Sequence, residues 1–102
     1  MNILHTVNKS PFTHSALIDC LEICSKDDIV ILIEDGVIGI MPQAAHSEKI
    51  DRAIRNGTKI YALETDIKAR GLQPYLSETI DTANYEKFVE LCTKCTSIQS
   101  WY

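Results

Sequence analysis

The stretch "DDIVILIEDG", residues 27 to 36, places five consecutive aliphatic residues between two pairs of acidic residues. A short apolar run rich in β-branched residues is typical of a strand that is covered on both faces of a sheet. Asp35-Gly36 predicts a turn at the end of this strand. Because strands buried on both faces occur mainly in parallel sheets, this stretch predicts an α/β protein.

The segments on either side continue the pattern, since further strands alternate with helices. Ile3-Leu4 begins a first short strand, which "NKSP" ends. The other predicted strands are "TKIYALE" at 58–64, "SETIDTA" at 77–83 and "SIQSWY" at 97–102.

Four helices are predicted between these strands. The first follows "NKSP", with Ser10 or Thr13 as its N-cap and Pro11 in its first turn. The second covers residues 43–56 and ends before Gly57, a typical C-cap residue. Its predicted buried positions are Ala45, Ile50, Ala53 and Ile54. The third is "TDIKARGL", beginning at Thr65 and ending at Gly71, and the fourth is "NYEKFVELCTKC" at 84–95.

This alternation predicts a three-layer α/β/α sandwich of the Rossmann or flavodoxin type, with a mainly parallel sheet of about five strands. At 102 residues, we expect the chain to form a single domain over residues 1–102. In such sheets function gathers beyond the carboxyl ends of the strands. Here those ends are His5–Lys9, Glu34–Val37 and Glu64–Asp66.

Composition limits the classes of function. The formal charge of −4 argues against non-specific binding to nucleic acid, which needs clustered positive charge. The first twelve residues include Asn2 and Lys9 where a signal peptide would be apolar, and Ile29–Ile33 is too short to cross a bilayer. We therefore expect a soluble cytoplasmic protein that does not bind membranes, whose cysteines are reduced thiols.

The cysteines occupy helical positions. Cys20 and Cys24 fall one turn apart in an apolar arc that also contains Ala16, Leu17 and Leu21. On the fourth predicted helix, Cys92 lies on the same apolar face as Tyr85, Phe88 and Val89. Cys95 lies near the edge of this face. Periodicity alone therefore favours core or interface roles for these thiols, since free cysteine is commonly buried.

Other functional motifs are weak or absent in the sequence. The two cysteine pairs have the spacing of zinc ligands, but structural zinc pairs usually lie on turns rather than on amphipathic helices, so no metal is expected. A redox Cys-x-x-Cys normally precedes its helix, whereas Cys92 and Cys95 end theirs. The motifs that hold dinucleotides or triphosphates are absent, and no cofactor is expected. His5, His14 and His46 are scattered and are predicted to be surface or strand-end residues.

Four blocks together resemble the DsrH/TusB family. They are "ILHTVNKSPF" at 3–12, "VILIEDGV" at 30–37, "KIYALETDIKARGL" at 59–72 and "CTSIQSWY" at 95–102. The resemblance covers essentially the whole chain. It implies a sulfur-relay subunit that assembles with DsrE/TusD-like and DsrF/TusC-like subunits, two copies of each, into a heterohexamer.

The resemblance also implies a chemistry. The complex takes sulfur as a cysteine persulfide and passes it to a DsrC/TusE-type protein, either in oxidation of stored sulfur or in 2-thiolation of the wobble uridine of transfer RNA. DsrH-type members carry a cysteine at the position of Cys20, which makes Cys20 the candidate persulfide carrier and places the chain nearer to DsrH. Cys24 and Cys95 have no role that the resemblance implies.

Two alternatives remain open. In the first, the chain is a catalytically silent subunit that completes the hexamer and shapes its docking surface, because the principal sulfur carrier of the family lies on the DsrE/TusD subunit. In the second, it is an unrelated flavodoxin-like binding domain. Whether the chain is itself an enzyme depends on whether Cys20 carries sulfur.

Overall fold

The computed structural model describes residues 2–42 and 44–102. Five strands form one sheet in the order β4-β3-β2-β1-β5, and every neighbouring pair is parallel. The strands are β1 (Ile3–Val7), β2 (Ile29–Leu32), β3 (Lys59–Leu63), β4 (Asp81–Ala83) and β5 (Ser97–Trp101). The chain thus adds three strands on one side of β1 and then returns to place β5 on the other side.

Four α-helices connect the strands, and the α/β prediction is confirmed. They are α1 (Ala16–Ile23), α2 (Ala44–Arg55), α3 (Glu64–Ala69) and α4 (Tyr85–Lys94). Two 3-10 segments, Glu34–Ile40 and Gln73–Tyr75, follow β2 and α3. The turn predicted at Asp35-Gly36 is the start of the longer 3-10 segment. Within the described part of the chain, the helices are too short or too polar to cross a bilayer.

Two apolar cores lie on opposite faces of the sheet, because side chains alternate along each strand. The larger core packs Val7, Val30 and Leu32 against residues of α1, α2, α3 and the first 3-10 segment. The smaller core packs Leu4, Ile31 and Tyr61 against α4. All residues of β2 are buried, which confirms that "IVIL" is covered on both faces.

The start of α1 differs from the prediction. Neither Ser10 nor Thr13 caps the helix, which begins at Ala16 after Ser15. Ser10 instead organises a turn: its hydroxyl accepts from the Phe12 N–H, and its carbonyl accepts from the N–H groups of Thr13 and His14. Local hydrogen bonding of a serine therefore competes with helix formation here and delays the helix by one turn.

The second helix ends as predicted but buries a different set of residues. Gly57 has φ of 100°, and the Thr58 N–H donates to the Ala53 carbonyl, as in a Schellman motif. Ile50 and Ala53 are buried, whereas Ala45 is exposed, contrary to the prediction. His46 occupies the buried position instead. Gln43, the first residue of the predicted helix, lies outside the described residues.

The other two helices also show differences. The third begins at Glu64, one residue before the predicted Thr65, and ends before Gly71. On α4, the buried side is centred on Leu91 rather than on Tyr85 and Val89, which are 71% and 45% exposed. Asn84 caps this helix by accepting from the Lys87 N–H.

Candidate functional site

A pair of thiols marks the candidate site. The Sγ atoms of Cys20 and Cys24 lie 3.8 Å apart, because α1 places them on the same face one turn apart. Cys20 is 0% exposed in the larger core, whereas Cys24 is half-buried at the C-cap of α1. All four cysteines of the chain are free thiols. The helical spacing predicted for Cys20 and Cys24 is confirmed.

His5 of β1 faces this thiol pair. One ligand atom each from His5, Cys20 and Cys24 lies within 4.8 Å of the others. The Trp101 indole Nε1–H donates to Nδ1 of His5 over 3.0 Å. Because an indole N–H can only donate, Nδ1 is the acceptor and the neutral imidazole carries its proton on Nε2. That Nε2–H donates to Oδ2 of Asp28 over 3.1 Å.

Asp28, which directly precedes β2, holds the His5 imidazole in place by a hydrogen bond to Nε2. Its Oδ1 accepts from the Ile3 N–H and its Oδ2 from the Ser25 N–H, each over 3.0 Å. Burial raises the pKa of Asp28, but these two backbone hydrogen bonds and the one from His5 outweigh burial and lower the pKa below its usual value. Asp28 is therefore a buried carboxylate with three donors, and it fixes the orientation of the imidazole.

The two thiols differ in acidity. The hydrogen bond from Cys20 and the contact with His5 lower the pKa of Cys24 below its usual value, although burial opposes this. The same hydrogen bond and burial raise the pKa of Cys20. For His5, burial lowers the pKa, but its interactions with Cys24 and Asp28 outweigh burial and raise it. Cys24 is therefore the thiol of the pair that ionises first, and its ionised form accepts the S–H of Cys20.

Cys24 opens onto a cleft of about 380 Å³. The cleft lies between α1 and α2 and is lined by Leu21, Glu22, Cys24, Lys49, Arg52, Ala53, Asn56 and Thr58. Lys49 donates to the Glu22 carboxylate across it over 3.0 Å. The cleft therefore brings two cations and one anion near the half-buried thiol.

The carboxyl ends of the strands, where function was expected, hold a different set of groups. There the Asp66 carboxylate accepts from the Glu34 N–H over 2.7 Å, and Arg70 donates to Asp35 over 2.9 Å. These contacts tie α3 to the first 3-10 segment. Lys9, beyond the carboxyl end of β1, is not among the groups that shift the pKa of Cys20 or Cys24. The thiol pair lies toward the amino end of β2, beside His5.

The second cysteine pair is separate from the first. Cys95 is buried in the smaller core and Cys92 packs against it, on the opposite face of the sheet from Cys20 and Cys24. The four cysteines therefore do not form a zinc site. His5, Cys20 and Cys24 are side chains of metal-binding types that lie close together. However, both ring nitrogens of His5 already hydrogen-bond, one to Trp101 and the other to Asp28.

Sequence reasoning found the thiols but not their neighbours. His14 is exposed as predicted. The prediction of a surface or strand-end position is wrong for His5 and His46, which are 2% and 1% exposed and lie within β1 and α2. His46 donates from Nε2 to the Met41 carbonyl over 2.8 Å and serves the structure of that turn. The one signal for Asp28 is its position directly before a fully buried strand, where a carboxylate can accept from the backbone.

Comparison with known proteins gives consistent matches over nearly the whole chain. The family described as "DsrH like protein" matches residues 9–98. The protein named "Protein TusB" from Serratia proteamaculans (strain 568) is 35% identical over 99 residues, which are 97% of this chain and 100% of that protein. Its namesake from Enterobacter sp. (strain 638) is 34% identical with the same coverage.

A solved structure supports the fold independently. The crystal structure of the ychN protein from E. coli superposes with a TM-score of 0.76 at 12% identity, covering 98% of each chain. At this identity the likeness concerns the fold alone. The family match includes the segment from Cys20 to Asp28. On these matches of sequence, the chain belongs to the DsrH-like family, with curated relatives named TusB.

Proposed function

We propose that this chain is a subunit of a cytoplasmic sulfur-relay complex that accepts persulfide sulfur at the Cys20–Cys24 pair and passes it to a DsrC/TusE-type protein. The observation that carries the proposal is the 3.8 Å contact of two free thiols beside His5. Sulfur relay needs a thiol with thiolate character that a partner can reach. The contact of Cys24 with His5 supports the first condition, and the cleft at Cys24 supports the second. Membership of the DsrH-like family supports the same reaction.

Persulfide exchange at this pair needs no cofactor. A cysteine thiolate attacks the outer sulfur of a donor persulfide, the donor's S–S bond breaks, and the donor leaves as a thiolate. The reverse step delivers the sulfur to the acceptor protein. Cys20 stays the predicted carrier in this scheme, with Cys24 as its immediate neighbour. The downstream product is a 2-thiolated wobble uridine in the Tus branch or oxidised sulfur in the Dsr branch.

The proposed partners are a DsrE/TusD-like subunit and a DsrF/TusC-like subunit. Two copies of each form a heterohexamer with two copies of this chain, which contributes one domain per copy. Several large apolar side chains are exposed in the isolated chain, among them Tyr85, Val89, Ile98 and Tyr102. Assembly with partner subunits would cover side chains of this kind, so their exposure is consistent with a subunit role.

Co-expression tests this proposal. The chain should elute with both partner subunits in size-exclusion chromatography, and the complex should transfer labelled persulfide sulfur to the DsrC/TusE-type acceptor. The Cys20→Ser/Cys24→Ser double variant should assemble normally and lose any sulfur that this subunit holds. A chain that always elutes alone would contradict the proposed assembly.

One observation favours a second candidate function. Cys20 is 0% exposed, so a partner cannot reach it directly in this conformation. A silent structural subunit would have such a thiol only as a core residue. In that case the double variant would assemble and the complex would transfer sulfur at the wild-type rate. The remaining alternative, an unrelated flavodoxin-like domain, is wrong because the chain belongs to the DsrH-like family.

A further inference from the structure

The two thiols of the pair differ in access. Cys24 follows the last residue of α1 and lines the cleft between α1 and α2, together with Lys49 and Arg52. Cys20 lies one turn earlier among core residues such as Val7 and Leu32 and has no exposed surface. A reagent that comes from solvent therefore meets the sulfur of Cys24 first.

The charges around the pair favour the same order. The end of α1 disfavours an anion at Cys24, because its last carbonyls point there. The Cys20 sulfur lies 3.8 Å away, and an ionised Cys24 accepts a weak hydrogen bond from the Cys20 S–H. The Asp28 carboxylate opposes an anion at Cys24, whereas the contact with His5 favours one. Within the pair, the anion is therefore favoured at Cys24 rather than at the fully buried Cys20.

We propose that Cys24 is the thiol that receives sulfur from the donor persulfide, and that Cys20 receives sulfur only from Cys24. The inference rests on the proposed sulfur-relay function and assigns a role to a residue that the sequence predicts only as a core residue. Within it Cys20 is an inner thiol, which holds sulfur away from solvent.

Both steps conserve atoms and electrons. In the first, the Cys24 thiolate attacks the outer sulfur of R–S–SH, a new S–S bond forms on Cys24, and R–S⁻ leaves. In the second, the Cys20 sulfur attacks the outer sulfur of Cys24–S–SH. The S–S bond on Cys24 breaks, Cys20 gains that sulfur as Cys20–S–SH, and the thiol proton of Cys20 moves to the leaving sulfur of Cys24. The 3.8 Å separation requires only a small movement for this second step.

Variants that each lack one thiol test the order of transfer. The reduced full chain is incubated with glutathione persulfide, and intact mass and peptide mapping follow the gain of one sulfur, about 32 Da. We expect Cys24→Ser to lose loading at both positions. We expect Cys20→Ser to load at Cys24 within about twofold of the wild-type rate, because serine keeps a donor for the Cys24 thiolate. Cys92→Ser, on the other face, is the matched control and should load like the wild type.

A second measurement does not depend on sulfur. Iodoacetamide should alkylate Cys24 at least about tenfold faster than Cys20, since reaction follows exposure and thiolate character. Equal loading of Cys20 in Cys24→Ser, failure of a folded Cys20→Ser to load, or earlier alkylation of Cys20 would each overturn the inference. If the wild type is alkylated first at Cys24 but gains no sulfur from this donor or from its partner subunits, the sulfur-relay function itself fails.

Discussion

The indole of Trp101 donates a 3.0 Å hydrogen bond to Nδ1 of His5, although 96 positions separate the two residues in the chain. The rings are 6.2 Å apart between centroids and tilted by 38°. Because Trp101 is the only tryptophan of the chain, tryptophan fluorescence reports on the surroundings of this one side chain, including His5. The contact exists only while Nδ1 has no proton.

The first prediction is a pH-dependent change in Trp101 fluorescence. When His5 takes up a second proton it does so at Nδ1, and the indole loses its acceptor. Since the pKa of His5 is raised, we expect the midpoint of the change to lie above the usual value of about 6.5. The exposed His14 gives the control, because His14→Gln should leave the midpoint unchanged. A fluorescence signal that stays flat between about pH 5 and 8 would contradict the prediction.

The second prediction concerns the free energy of unfolding. A folded-state pKa of His5 above the unfolded value means that the native state binds this proton more tightly. The resulting stabilisation is fully present below the unfolded pKa of about 6.5 and is lost as the pH rises through the folded pKa. Urea unfolding from about pH 5 to 8 should show this loss in the wild type and not in His5→Gln. Parallel curves for the two proteins would refute it.

The third prediction is that Asp28→Asn destabilises the protein by about 3 kcal/mol. Asp28 accepts from Ile3, Ser25 and His5, and an amide would turn its NH₂ group toward at least one of these donors. The neighbouring Asp27 is exposed with φ of 74°, a conformation that asparagine tolerates. Asp27→Asn is therefore the matched control and should stay within about 0.5 kcal/mol of the wild type in chemical unfolding.

Acid unfolding is a second test of Asp28. Because the pKa of Asp28 is lowered in the folded state, its carboxylate stabilises the fold at pH values above the unfolded pKa of about 3.9. This stabilisation is lost as the pH falls through the folded-state pKa. Asp28→Asn should lack this part of the acid transition. An unchanged acid transition in the variant would show that Asp28 is not the group concerned.

The fourth prediction concerns the cations of the cleft. Arg52 lines it beside Cys24, whereas Arg55 lies on the same helix but is not among the lining residues. Glutathione persulfide carries a net negative charge on its carboxylates, so Arg52→Gln should lower the rate of sulfur loading about threefold at low salt. The difference should shrink at high ionic strength, because screening weakens exposed charges. Arg55→Gln should have little effect, and equal effects of the two variants would count against the cleft as the route.

The fold could be predicted from local patterns, and the site only in part. The run "IVIL" and the alternation of strands with helices were sufficient for the α/β prediction, since both are properties of short segments. The one-turn spacing of Cys20 and Cys24 is likewise a property of one helix. Where local competition decides, as at Ser10, the helix start was wrong.

The surroundings of the thiols depend on long-range register. His5 meets Asp28 because β1 pairs with β2, and it meets Trp101 because β5 pairs with β1 rather than with β4. The hydrophobic periodicity of a single segment carries no information on the order of the strands in the sheet. The burial of His5 is therefore a property of sheet topology, and a sequence pattern shows only an isolated histidine.

The edge position of β5 affects the contact between Trp101 and His5. This strand pairs only with β1, most of its residues are exposed, and Trp101 at its end packs against the core that contains Cys20. Edge elements with few buried contacts detach at a lower free energy than the whole domain unfolds. A brief release of this one strand removes the indole from His5 while β1 to β4 remain paired. We therefore expect the His5–Trp101 contact to open and close with this edge strand, and amide hydrogen exchange along Ser97–Trp101 would measure that equilibrium.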